Sequence, residues 1–124
     1  MVWKGVIIEE SLEDASLLDM VTEVGYLESL LEGEDEKGTM HFHQFEISDD
    51  KKDGFISNAK NMIKQGWYIH ICRDEKMIIV FKGKTFEFTE DEKDKIKAAK
   101  DYGISLGILP EQLEIESLIR NPFD

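Results

Sequence analysis

The chain holds three histidines and one cysteine, and all four fall into two i, i+2 pairs, His41 with His43 and His70 with Cys72. On an extended strand each pair points to one face, and imidazole with thiolate is a zinc-binding set. Two such pairs supply the ligands of a four-coordinate site made of His41, His43, His70 and Cys72. His70 and Cys72 also have the composition of a base and a thiol nucleophile. That chemistry needs an electropositive, partly exposed setting to hold a thiolate. The chain has 15 Lys and Arg against 27 Asp and Glu, a net charge of −12, which works against such a setting.

Other sites are excluded by spacing. Asp49-Asp-Lys-Lys-Asp-Gly54 has the glycine of a calcium loop. However, Lys51 and Lys60 stand where that loop needs oxygen ligands, and helix capping explains the acids better. Glu32, Glu34, Asp35 and Glu36 offer only a loose, unconstrained cation contact. There is no phosphate-cradling G-x-x-x-x-G-K-[ST], no H-E-x-x-H and no G-x-S-x-G. Gly103 and Gly107 lack the third glycine and the strand–helix context of a dinucleotide fingerprint. Asn121-Pro122-Phe123 reads as a helix stop with an apolar tail that docks on the body of the protein. No cofactor is expected.

The elements that position these residues follow from period and punctuation. Val2 to Ile8 reads as a β-branched strand, and Ser11 or Asp14 as the cap of a brief helix carrying Leu12, Leu17, Leu18 and Val21. Val21 to Leu31 reads as a second strand, although Leu27, Leu30 and Leu31 also fit a helix; as a strand it forms a hairpin with Met40 to Ile47 about the Gly33–Gly38 turn. Ser48 caps a helix whose Phe55, Ile56, Ala59, Met62 and Ile63 recur at helical spacing, with Gly66 as its terminator. Trp67 to Arg73, Met77 to Lys82 and Thr85 to Phe88 make a meander turning at Asp74-Glu75 and Gly83-Lys84. Thr89 and Glu92 form a capping box, opening a helix that runs to Tyr102 and closes at Gly103. An extended apolar segment follows, then a turn from Pro110 to Gln112 and a short helix from Ile115 to Ile119.

The order β-α-β-β-α-β, followed by two strands and a helix, is that of a split βαβ, ferredoxin-like sheet. The expected fold is therefore α+β in a single domain over residues 1–124: an antiparallel sheet with an appended hairpin and a C-terminal helix. Two-residue turns in the meander place His70 opposite Ile79, Cys72 opposite Met77 and Phe81 opposite Phe86. One face then carries Tyr68, His70, Cys72, Met77, Ile79, Phe81, Phe86 and Phe88, and the richness in aromatics puts it under helices. In this order the first strand separates the two histidine strands by roughly 10 Å, too far for easy sharing of one zinc ion. Cys72 is then a small buried hydrophobe and His70 a partly buried, hydrogen-bonded imidazole.

Four runs, Lys4-Gly-Val-Ile-Ile-Glu-Glu-Ser-Leu12, Gly66-Trp-Tyr68, Ile79-Val-Phe-Lys-Gly-Lys-Thr-Phe86 and Tyr102-Gly-Ile-Ser-Leu-Gly-Ile-Leu-Pro-Glu-Gln-Leu113, carry a resemblance. The chain is similar to a group of small, functionally uncharacterised prokaryotic proteins. The resemblance implies a small prokaryotic protein and supplies no ligand or catalytic residue.

Charge and apolar patterning complete the functional reading. A net charge of −12 with pI near 4.6 repels nucleic acid and anionic membrane, and suits a basic protein partner steered by charge. The longest apolar run, Met77 to Phe81, is far short of a membrane span, and one unpaired cysteine fits a reducing cytoplasm. The second meander face, with Trp67, Ile69, Ile71, Ile78 and Val80, is too apolar for solvent and is expected to be covered by a second layer or a second copy, as a homodimer. The sequence thus points to a protein that acts by binding, without enzyme chemistry. The alternative is a small metal- or cysteine-dependent enzyme using His70 and Cys72 or His41 and His43.

Overall fold

Alternating side chains in Val2–Ile8 make β1, with Trp3, Gly5 and Ile7 on one face and Lys4, Val6 and Ile8 on the other. The computed structural model describes residues 2–30 and 38–123. The other strands are β2 (Thr22–Leu30), β3 (Thr39–Ser48), β4 (Ile69–Arg73), β5 (Lys76–Phe81) and β6 (Lys84–Thr89). The helices are α1 (Asp49–Met62), α2 (Lys93–Ser105) and α3 (Ile115–Arg120). The sheet runs β2-β3-β1-β4-β5-β6 with every described pairing antiparallel. Its first four strands have the split βαβ order, and β5 and β6 extend it as a hairpin. The fold is α+β with a C-terminal helix, as expected.

The first crossover differs from the expected helix. Residues Glu9–Ser11 and Ala15–Met20 form two 3-10 turns, the second capped by Asp14, whose carboxylate accepts the Ser16 amide at 2.9 Å. This crossover also ends α1 early, at Met62 rather than Gly66. Ile63 is extended and bridges Leu12, while the Lys64 amide donates to Ser11 O at 2.7 Å and Glu13 to Met62 O at 2.6 Å. Backbone bonds to the crossover replace the last helical turn and hold Ile63 fully buried.

The second helix runs past its expected glycine stop. Gly103 lies inside α2 and is buried; a Cβ there would stand 3.1 Å from both Leu113 methyls, so glycine admits the chain that follows. Gly107, at φ +92°, marks the turn after the helix instead. In the meander, Lys82-Gly83 form the second turn, pairing Phe81 with Lys84 and Ile79 with Phe86 instead of Phe81 with Phe86. Gly83, at φ +74°, takes the second turn position, and the two-residue shift leaves every side chain on its expected face. The Gly33–Gly38 turn, with Glu32, Glu34, Asp35 and Glu36, falls almost wholly outside the described residues.

Two layers cover the sheet. On one face α1 packs Phe55, Ala59 and Ile63 onto Trp3, Phe45, Ile69, Ile71 and Val80, with the Phe45 and Phe55 rings 5.4 Å apart. The Trp3 indole N–H donates to Asp49 at 2.8 Å, and Arg73 both bonds Asp49 and stacks 5.0 Å from the Trp3 ring, joining β1, α1 and β4. Ile69, Ile71, Ile78 and Val80 are thus buried within the chain, with α1 as the second layer over that face and Trp67 half-buried beside it. On the other face, α2, α3 and Leu113 cover Cys72, Met77, Ile79, Phe81 and Phe88. That cover stops at β4.

Candidate binding cleft and histidine cluster

The partial cover creates a cleft. Its floor is the half of the sheet that, among the described residues, α2 and α3 leave uncovered: Leu27 and Ser29 from β2, Phe42 and Gln44 from β3, Val6 and Ile8 from β1. Its wall is Trp67, Tyr68, Ile108, Gln112, Leu118 and Phe123, and its volume is about 290 Å³. The floor is apolar because β1 and β3 alternate. Pairing Val6 with Gln44 and Ile8 with Phe42 sends these residues to the face opposite Trp3 and Phe45. Tyr68 O–H donates to Gln112 O, and burial holds its phenol above the ordinary range. Glu114 lies at the rim and is exposed.

His70 closes the inner end. Its Nε2–H donates to Pro122 O at 2.8 Å, and Gln44 Nε2 donates weakly to Phe123 O at 3.4 Å, so the C-terminal segment is tied along the wall. Burial pulls the His70 imidazole below its ordinary range, against the pull of the Pro122 carbonyl. Cys72, two residues on, is 3% exposed and its thiol approaches Leu118 O at 3.5 Å. Burial pushes that thiol up to about 12, so it is protonated at neutral pH and lacks the nucleophilic form.

The first histidine pair lies on the reverse face. His43 pairs with Ile7 in β1 and Tyr26 in β2, and His41 lies opposite Glu28. Each imidazole has a carboxylate at both nitrogens. His41 Nδ1 meets Glu10 and its Nε2 stands 3.5 Å from Glu28. His43 Nδ1 meets Glu23 and its Nε2 meets Glu9 at 2.9 Å. Tyr26 lies over both rings, 6.3 and 5.0 Å away. The Glu10 bond raises His41 above its ordinary range; for His43, burial pulls down and the Glu23 and Glu9 bonds outweigh it. The cluster pins the first 3-10 turn and β2 to β3. With both nitrogens of each ring engaged by acids, neither ring has a lone pair directed at a substrate.

The structure therefore does not bring His41 and His43 together with His70 and Cys72. β1 lies between their strands, and the pairs point to opposite faces. Among the described residues no group of three or more His, Cys, Asp or Glu is arranged to hold a metal ion. Sequence reasoning missed the cleft residues Val6, Leu27, Phe42 and Gln44. Extending the meander's face arithmetic to the β1–β3 pair would have grouped Val6, Ile8, Phe42 and Gln44. The missing cover above them depends on where α2 and α3 stop. Among the described residues no helix is long and apolar enough to cross a membrane. No protein-family model, no curated protein and no solved structure matches this chain.

Proposed function

We propose that this protein acts by binding a basic protein partner through the half-sheet β2-β3-β1, in the reducing setting that its free Cys72 suits. The observation that carries the reading is the half-sheet that α2 and α3 leave open among the described residues: an apolar cleft on one side, and on the other Glu9, Glu10, Glu23 and Glu28 around two histidines. The −12 charge of the chain adds long-range attraction for a cationic surface. The enzyme alternative finds less support, because Cys72 is a buried protonated thiol, both nitrogens of His43 and Nδ1 of His41 meet carboxylates, and Nε2 of the buried His70 is spent on the Pro122 carbonyl.

Native mass spectrometry of untagged protein, isolated from cell extract at low salt, tests this. The reading expects the bare chain accompanied by a basic protein that dissociates as salt rises. A stoichiometric small molecule or metal ion instead, lost in His70→Ala or His43→Ala, overturns it in favour of the alternative. The bare chain alone at low salt overturns it as well.

A further inference from the structure

β2 ends the sheet, and among the described residues no strand pairs with its outer edge. An unpaired edge carries a row of backbone donors and acceptors, and proteins that leave one bare keep it short, covered, bulged or charged, most often with lysine. Here the edge strand is nine residues long, holds no lysine, and exposes Val24 (47%), Tyr26 (48%) and Leu27 (44%). Its one irregularity is a bulge at Val24, so the stretch after it, from Gly25, is regular. The two faces of that stretch differ in chemistry. Leu27 and Ser29 border the apolar cleft, whereas Tyr26 and Glu28 border the acidic cluster of Glu9, Glu10 and Glu23.

We propose, resting on the binding reading above, that the β2 edge receives an extended segment of a partner protein as a seventh strand, and that this segment alternates large apolar with basic residues. Residues on an added strand face the same way as the residues they oppose. Side chains opposite Leu27 and Ser29 then lie over the apolar rim of the cleft, and those opposite Tyr26 and Glu28 reach the carboxylates. Main-chain bonds to β2 give affinity, and the alternation gives specificity. Charge decides between occupants. A second copy of this chain would bring another −12 to an edge already acidic, while a basic segment is attracted.

The test uses a seven-residue peptide alternating lysine and leucine, its alternating glutamate–leucine counterpart, and the first peptide with every second amide N-methylated to block strand pairing. Backbone NMR of the full chain is the readout. The lysine–leucine peptide is expected to shift and protect the β2 amides from Gly25 onward. It should bind at least tenfold tighter than the other two, with affinity falling as salt rises. Glu28→Lys, at an exposed side chain, should weaken it several-fold and improve the glutamate–leucine peptide. Shifts confined to the cleft wall and indifferent to N-methylation overturn strand addition in favour of an apolar ligand. Concentration-dependent β2 shifts without peptide overturn it in favour of self-pairing. Absence of β2 shifts at millimolar peptide overturns it outright and shows an edge that its bulge and glutamates keep bare. If β2 is silent but the salt-labile basic partner is still recovered, only strand addition falls; if neither is seen, the binding reading falls too.

Discussion

The pairs His41/His43 and His70/Cys72 share a spacing and a sheet, yet they sit in opposite electrostatic settings. The first lies near the edge strand, with four glutamates around two rings, and burial is outweighed by bonds to carboxylates. The second lies under α3 and the C-terminal segment, where its partners are main-chain carbonyls and burial dominates. One pair favours the charged form and the other the neutral form. An i, i+2 pair of ligand-type residues thus says which way side chains point, and the cover above them decides what they can do.

The largest effect that would break this contrast concerns Cys72. With its thiol near 12, the native chain should react with a thiol reagent about a thousandfold or more slower than the denatured chain. A native rate within tenfold of the denatured one would show an accessible cysteine and dissolve the comparison.

Next in size is His70. His70→Ala removes a buried ring and leaves the Pro122 carbonyl without its donor, a loss of about 2–4 kcal/mol in urea unfolding. His41→Ala, on a partly exposed ring, should cost less. A larger loss at His41 would reverse the ranking of the two sites.

The smallest effect sharpens the comparison through pH. His41 and His43 have folded values raised above the unfolded value of about 6.5, so their contribution is complete below that pH and is lost as pH rises through the folded values. His70 is depressed, so its contribution is present above about 6.5 and is lost as pH falls through its folded value. Unfolding free energies measured between about pH 5 and 9 should therefore show opposite changes in the variants. His41→Gln with His43→Gln should flatten the alkaline fall, and His70→Gln the acidic one. Parallel changes in both variants would refute the assignment of one charged and one neutral site.

Much of the fold is legible in the residues. β1, the β2–β3 pairing, α1 from Asp49, the meander and α3 follow from alternation, helical stripes and turn residues, and the strand order from their sequence. Punctuation was less reliable at Gly66 and Gly103. Glycine marks where a chain can turn, but tertiary neighbours choose: Leu12 captured Ile63 before Gly66 was reached, and Leu113 needed the space at Gly103 for packing rather than for an end. The candidate site was legible only in part. Spacing correctly placed each histidine pair on one face and His70 with Cys72 under helices.

What the sequence determined by itself was local: side-chain direction, charge, element order and the parity of each strand, because these depend on near neighbours and a period of two. What only the tertiary structure decided was cover. It set α1 over Ile69, Ile71, Ile78 and Val80, stopped α2 and α3 at β4, tied Pro122 to His70, and, among the described residues, left the outer edge of β2 without a paired strand. Cover is a property of distant segments meeting, fixed by helix lengths and chain paths that no short window of residues contains.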